Sequence, residues 1–410
     1  MTTTPNSSGS DLSFSGQVPI DLRQAYLRAN PAYELVLLDR LSATEREALR
    51  GLAEDPDCYG VLRSGGNSAL SIKAVSRDTA LLLFSLQQPG TLPYYAARTM
   101  GEACAATIAK MILDGVLEVE ANGQMVSGPE ASDLIFGATP TLEDHGPLAA
   151  MSHRAVEYAA SLGLTDPLDL SARLYAYNCI PSSPRWRALL PNASETAPYL
   201  GLVKGGAALP ILSGKWHPLK ESAAWIHWQA KASRQVSTGP DQSITNYKLY
   251  VSPACDRLRE TIGAVADAVA SSNAIQWKVG KGLRGLSRPD KLVIYFRHFT
   301  DLQEVALKIM KDLEGCAPHG VPFTAELAGK GLLSWGIDPP HVRTVPWLER
   351  ESWRSKLTNR LALALTTASR VRSGELSNPV NAARFAMHRL QLEGIDTSTW
   401  TPSPGFVWTT

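Results

Sequence analysis

The sequence is poor in most of the features that declare a function outright. Its 410 residues include only five cysteines, Cys58, Cys104, Cys179, Cys255 and Cys316, scattered without a Cys-x-x-Cys pair or a Cys/His group at zinc spacing. That pattern excludes a disulfide framework and a structural zinc site, and it fits buried reduced thiols in a cytoplasmic protein. No Gly-x-Gly-x-x-Gly follows a strand pattern and no Walker-type loop occurs, so neither common nucleotide fingerprint is present. No run approaches the roughly 18 consecutive apolar residues of a membrane helix. Charged residues are only 19% of the chain and the formal net charge is +1, which excludes a stripe-type nucleic-acid binder. No cofactor and no metal are expected.

What is present is a core and a local excess of positive charge. With 44% hydrophobic residues the chain can bury a substantial interior. Residues 1–17, rich in Thr, Ser and Asn without a basic or apolar region, are read as a disordered lead and not a secretory signal. Residues 18–137 carry helical patterns over Asp21–Asn30 and Ala32–Leu41, and Ser42 with Glu45 can cap a helix to Gly51. Strands are expected at Tyr59–Leu62 and Leu70–Ala74 around Gly65-Gly66. Helices follow over Asp78–Leu86 and Ala96–Leu113, then a hairpin turning at Asn122-Gly123. Helix, helix, hairpin is a winged-helix pattern. Ala96–Leu113 has only Arg98 and Lys110 as cations, so a peptide suits this region better than DNA.

Residues 147–242 read as a mixed helical connector, with helices at His153–Leu162 and Ala223–Ala232. Residues 243–338 have the clearest pattern. Strands are expected at Asn246–Ser252, Ala274–Val279, Lys291–Arg297 and Gly320–Ala325, with helices at Asp256–Ser271 and Leu302–Leu313. That β-α-β-β-α-β order defines a ferredoxin-like split unit. Helices over Leu348–Arg370 and Ala382–Glu393 make residues 339–410 a C-terminal cover. The fold class is α+β.

Strand alternation assigns faces. Leu292, Ile294 and Phe296 oppose Lys291, Val293, Tyr295 and Arg297; Trp277 opposes Lys278; Leu249 opposes Lys248 and Tyr250. With both helices on the apolar face, the other presents Lys248, Lys278, Lys291, Tyr295 and Arg297 together. Lys281, Arg284 and Arg288 flank the same strands, against one acid, Asp290. Crowded cations call for a small anion, and a lysine among them has a depressed pKa and can act as a base. These are the parts for β-elimination of phosphate from phosphoserine or phosphothreonine. The plainer alternative is a solvated sheet face with snorkelling lysines. Lys248 or Lys278 is the candidate base. Lys281, Arg284, Arg288, Lys291, Arg297 and Tyr295 are the candidate phosphate-binding residues. His298, then His227, are the candidate acids, with His319 also considered.

Four motifs carry a resemblance: Tyr247-Lys-Leu-Tyr-Val-Ser-Pro253, Trp277-Lys-Val-Gly280, Arg288-Pro-Asp-Lys-Leu-Val-Ile-Tyr-Phe296 and His319-Gly-Val-Pro-Phe-Thr324. Together they resemble the Hop A-type effector family over about a quarter of the chain. Similar proteins occur in bacterial pathways for ribosomally synthesised, modified peptides such as class V lanthipeptides and thioviridamide-like compounds. The resemblance implies a lyase converting phosphoserine and phosphothreonine of a precursor peptide to dehydroalanine and dehydrobutyrine. A kinase, and a cyclase as a further possible partner, would act in the same pathway. It places Lys248, Lys278 and Lys291 in base and phosphate-clamp roles without ordering them. Two alternatives stay open: a non-catalytic scaffold presenting a peptide to the kinase or cyclase, and an effector-like binder of host phosphoproteins.

Overall fold

The computed structural model describes residues 20–49, 55–64, 73–137, 146–219, 222–231, 247–328, 330–339, 351–370 and 379–403. The expected lead at 1–17, the Gly65-Gly66 turn and the start of the Leu70–Ala74 strand lie outside them. The chain is an α+β protein built around two principal cores.

The N-terminal region holds two small antiparallel sheets. β1 (Tyr26–Ala29), β5 (Gly90–Thr91), β6 (Leu117–Ala121) and β7 (Gln124–Val126) stand in the order β5-β1-β6-β7, and β2 (Tyr33–Leu37), β3 (Cys58–Ser64) and β4 (Lys73–Ser76) form the other. The helices expected over Asp21–Asn30 and Ala32–Leu41 are therefore strands. Their cause is local: Asn30 accepts a turn hydrogen bond from the Tyr33 amide, and Tyr26 to Ala29 pairs with β6 on one side and β5 on the other. The capped helix is present at Ala43–Ala48, with the reciprocal Ser42–Glu45 bonds. The long Ala96–Leu113 helix is split into Tyr94–Met100 and Cys104–Leu113 at Gly101, whose φ of 56° no helix accommodates. The Asn122-Gly123 hairpin forms as expected, with positive φ at both turn residues.

Val36, Leu41, Leu49 and Val61 form a small cluster within this region, and most of its other buried residues join a larger core. That larger core is shared with the Pro147–Ser161 and Pro167–Tyr175 helices and with the C-terminal helices Trp353–Arg370 and Pro379–Gln391.

The second core belongs to a seven-stranded antiparallel sheet. β8 (Trp216–Pro218), β9 (Trp225–Ala230), β10 (Tyr247–Val251), β11 (Gln276–Gly280), β12 (Leu292–Phe296), β13 (Ala325–Ala328) and β14 (Leu333–Ile337) run β13-β14-β10-β12-β11-β9-β8. Its inner four strands, with the Leu258–Ala270 and Phe299–Asp312 helices, have the ferredoxin-like order fourth, first, third, second. The fourth strand is Leu333–Ile337 and not Gly320–Ala325. Gly320 and Phe323 both take positive φ there, and the Phe323 amide is held by the Ser152 hydroxyl at 2.8 Å, so that stretch is a loop anchored from outside the sheet.

β9 corrects a second expectation, since Ala223–Ala232 was read as helix. Trp225 to Ala230 alternate half-buried and buried along the strand. Trp-Ile-His-Trp-Gln-Ala has the strand period of two, although the alanines around it, Ala223, Ala224, Ala230 and Ala232, are good helix formers. The sheet buries Trp277 and Leu249 completely beneath the two helices, with the Trp228 ring stacked 6.1 Å from Trp277. Replacing Trp277 by Ala should cost about 3–5 kcal/mol in urea unfolding, because it opens a large cavity under the sheet. A loss below 1 kcal/mol would mean that this face is not the core.

Candidate functional site

The second face of the sheet carries the cations. Strand registers place His227, Lys278, Val293, Tyr250 and Ser334 in one row across five strands, and Gln229, Gln276, Tyr295, Lys248 and Gly336 in the next. Val293 and Tyr250 pack with Val321 from the loop above, so the middle of the row is dry. The Trp353–Arg370 helix closes over β14. At Gly336 a Cβ would lie 2.5 Å from Trp353 Cδ1, so glycine permits that approach.

Each cation has a different environment. Lys248 is buried and paired with Asp338 at 2.6 Å. Lys291 is wholly buried and donates to the Pro253 carbonyl at 2.9 Å and to His319 Nδ1 at 2.5 Å. His319 Nε2 donates to the Asn178 carbonyl at 2.6 Å, which fixes its tautomer. Burial and then the Lys291 charge hold His319 at about 4, and burial brings Lys291 down to about 8. His319 is therefore a neutral acceptor for Lys291 and no proton reservoir at neutral pH. Lys291 is tied inward and is not presented to a ligand.

Arg288 is held differently. It forms a two-pronged bond to Asp290, Nε at 2.8 Å and Nη2 at 2.9 Å, and Nη2 also donates to the Tyr175 hydroxyl at 3.2 Å. Tyr175 donates in turn to Asp290 Oδ2 at 3.1 Å. A second guanidinium, Arg354 from the C-terminal helix, brings Nη1 to 2.9 Å from Asp290 Oδ2 as a charge contact off the hydrogen-bond axis. Arg354 is 1% exposed, and its other nitrogens bond the Pro322 and Tyr175 carbonyls. Burial works to raise the Asp290 pKa, but Arg354 and the Arg288 bonds outweigh it and hold the carboxyl well below its ordinary range.

Lys278 stands apart. Among the described residues its ammonium has no hydrogen-bond or ion-pair partner. It lies 4.3 Å from the centroid of the Trp225 ring and 5.5 Å from that of Tyr295. Arg288 shares the Trp225 ring, at 4.8 Å. Burial first, then the charge of Lys248, lowers the Lys278 pKa to about 8, with Arg288 acting in the same direction. Across the strand pair, His227 has its pKa lowered by burial and by Lys278, and its buried Nε2 has no partner among the described residues.

The structure thus brings Lys248, Lys278, His227, Arg288, Lys291 and Tyr295 to one face. It does not bring the other candidates into that cluster. His298 is exposed at the start of the Phe299–Asp312 helix, one alternation step onto the apolar side. Arg297 follows Tyr295 on the right face, but its buried Nε lacks a partner among the described residues. Lys281 caps and Arg284 lies within a short helix, Gly282–Leu286, where an open glycine loop was expected. The Gly282 amide is used by the Thr196 hydroxyl and the Lys281 amide by the Ala224 carbonyl, so neither is left to cradle an anion. Arg284 is exposed.

Three residues of the cluster were missed in the sequence. Trp225 was hidden by the helix reading of its strand. Tyr175 and Arg354 gave no local signal, since helices far along the chain deliver them. Among the described residues no group of three or more His, Cys, Asp or Glu is placed to hold a metal, and no helix is long and apolar enough to cross a membrane.

No family model matches the chain, and no curated protein matches it. Solved structures do. The chain is similar to an effector protein from Pseudomonas syringae pv. tomato strain DC3000, with 11% identity over 62% of this chain and 97% of that one, at a TM-score of 0.39. An effector from Pseudomonas syringae pv. syringae strain 61 gives 16% identity, 62% and 96% coverage, and a TM-score of 0.39. The type III effector and phosphothreonine lyase OspF from Shigella flexneri gives 13% identity, 30% and 69% coverage, and a TM-score of 0.24.

An unpartnered, largely buried ammonium is costly. Its folded pKa of about 8 lies below the ordinary 10.5, so below pH 8 both states hold the proton and the folded state bears the full desolvation cost. Between those values the unfolded chain binds more protons, and stability rises with pH. Lys278→Met should therefore be more stable than the parent at pH 7, by on the order of 2 kcal/mol after allowance for partial exposure. The gain should shrink toward zero by about pH 10.5 in paired urea titrations. A destabilised variant at pH 7 would show that Lys278 has a stabilising partner.

Proposed function

We propose that this protein is a phosphoserine/phosphothreonine lyase acting on a peptide. The observation that carries the reading is Lys278: an amine with a pKa of about 8 and no hydrogen-bond or ion-pair partner among the described residues, sharing the Trp225 ring with Arg288. A base that is partly neutral near pH 7.5, beside a guanidinium, suits proton abstraction next to a phosphate ester.

In the proposed reaction the Lys278 amine takes the α-proton of the phosphorylated residue. The electron pair of that C–H bond becomes the Cα=Cβ bond. The Cβ–O bond breaks, and its pair leaves with inorganic phosphate. Arg288 receives the phosphate charge. The products are a dehydroamino acid, a protonated Lys278 and phosphate. After departure the former bridging oxygen takes a proton from solvent to give hydrogen phosphate, and Lys278 returns its proton to solvent, so the net loss is one phosphoric acid. His227, kept neutral by burial and by Lys278, serves as a hydrogen-bonding group and not as a proton store. Phosphate departs without prior protonation, which replaces the acid role considered for His298 and His227. Lys248, cancelled by Asp338, contributes field to Lys278 more than contact to substrate.

The motif resemblance adds the substrate context: a ribosomal precursor peptide phosphorylated by a kinase of the same pathway, in the cytoplasm, with a cyclase as a further partner.

Incubation with a phosphothreonine peptide should give a product lighter by one phosphoric acid and free phosphate in equal amount. Lys278→Met should lower kcat/KM by at least about 10³-fold, in the upper range for loss of a general base. For the parent, kcat/KM should rise with pH and level off above about 8, as the free amine forms. A falling limb at neutral pH would restore an acid histidine. A peptide that binds and is recovered intact would turn the reading to a scaffold.

A further inference from the structure

We infer that Arg354, buried and paired with Asp290, sets the phosphate affinity of the site by offsetting that carboxylate. The inference rests on the lyase reading above and concerns how its phosphate position keeps a positive charge.

A guanidinium chelated by a carboxylate is a poor anion site, since the pair is neutral. Arg288 is chelated by Asp290 through two bonds. The neighbouring cation Lys248 is cancelled by Asp338. Without a further charge, only Lys278 would attract phosphate, and Lys278 must give up its proton to act as base. Arg354 changes the balance. Two guanidiniums share one carboxylate, so the cluster keeps one net positive charge, and Arg288 is the member with access to solvent, its side chain 24% exposed against 1% for Arg354. Tyr175 links the three. Its ring lies 4.4 Å from the Arg354 guanidinium and 5.5 Å from that of Arg288, while its hydroxyl donates to the same carboxylate oxygen that Arg354 faces.

Arg354 cannot reach a ligand. Its nitrogens are spent on the Pro322 and Tyr175 carbonyls and on Asp290. It is thus a positioning residue that acts through Asp290. Asp290 has two opposed effects on phosphate: it orients Arg288 and it screens it. The arrangement gives a signed expectation that ordinary structural damage does not. Removing Arg354 makes the cluster neutral and weakens phosphate binding. Neutralising Asp290 unscreens both arginines, so phosphate binds at least as tightly while Arg288 is less well aimed.

The test is binding of inorganic phosphate, and separately of a phosphothreonine peptide, at fixed ionic strength, followed by calorimetry. Parent, Arg354→Met, Asp290→Asn and the double variant are compared, with the far-ultraviolet melting curve of each as a folding control. Arg354→Met should weaken phosphate binding by about tenfold, the order of size expected for one unit charge in a partly screened site. Asp290→Asn should bind phosphate as tightly as the parent or more so, yet turn the peptide over more slowly, which separates affinity from kcat. The double variant should return toward the parent affinity. Weakening in both single variants, with the double variant worst, would overturn the inference and leave the lyase reading standing. A parent protein that binds neither probe would overturn both. Should Arg354→Met fail to fold, Asp290→Asn alone decides, because loss of phosphate binding in that variant contradicts the screening role.

Discussion

One carboxylate shared by two guanidiniums organises the polar side of this protein. Asp290 sits at the turn between the short Gly282–Leu286 helix and β12, and it receives Arg288 from its own turn, Tyr175 from one helix and Arg354 from another. Those contacts tie the central sheet to the helices on its cationic face. The helices carrying Tyr175 and Arg354 also contribute to the core that holds the N-terminal region. The electrostatic knot at Asp290 is thus one link between the sheet and that core, beside Tyr247 and Trp335, which pack against both cores. A buried carboxylate survives there only because its partners outnumber it.

That arrangement makes the neighbouring lysine unusual. Lys248 and Lys291 are both satisfied, one by a carboxylate and one by a carbonyl and an imidazole. Lys278 is left with two aromatic rings and the repulsion of its neighbours. A site that satisfies two buried lysines and withholds a partner from the third has a division of labour. The satisfied pair hold strands and loop in place, and the third carries the chemistry on the lyase reading. Proteins accept such local destabilisation where a reactive group requires it.

Much of this was legible in the sequence, and the boundary of legibility has a physical reason. The apolar face of the central sheet followed from alternation in Leu-Val-Ile-Tyr-Phe and Gln-Trp-Lys-Val, because burial on one side imposes a period of two. The grouping of Lys248, Lys278 and Tyr295 followed from the same rule. The ferredoxin-like order held although its last strand was misplaced, since Gly-Val-Pro-Phe-Thr has strand-like composition but is pinned as a loop by Ser152 and Asn178. β9 is less legible because the alanines around Trp-Ile-His-Trp have high helix propensity while the strand itself is set by pairing with β8 and β11. What no local pattern encodes is the pairing of a charge with its partner across 64 residues, as for Arg354 and Asp290, or 115, as for Tyr175 and Asp290. Charge counting along Ile275 to Arg297 found an excess of cations. It could not say which of them would be neutralised.

That last distinction decides the chemistry. Six cations near one acid suggest a generic anion pocket, whereas the folded chain sorts them into classes. Lys281 and Arg284 belong to the cap and the body of a short helix, Lys291 is committed to a half-buried imidazole, and Arg288 is oriented by a shared carboxylate. Only Lys278 keeps an amine that is both poised near neutral pH and without a hydrogen-bond or ion-pair partner among the described residues. A pocket that merely bound phosphate would gain by pairing its substrate with every cation and by keeping each fully charged. Burial that makes one cation easier to discharge weakens binding and improves proton abstraction. On the lyase reading, that is the exchange made at Lys278, where weaker docking accompanies an amine that can take a proton.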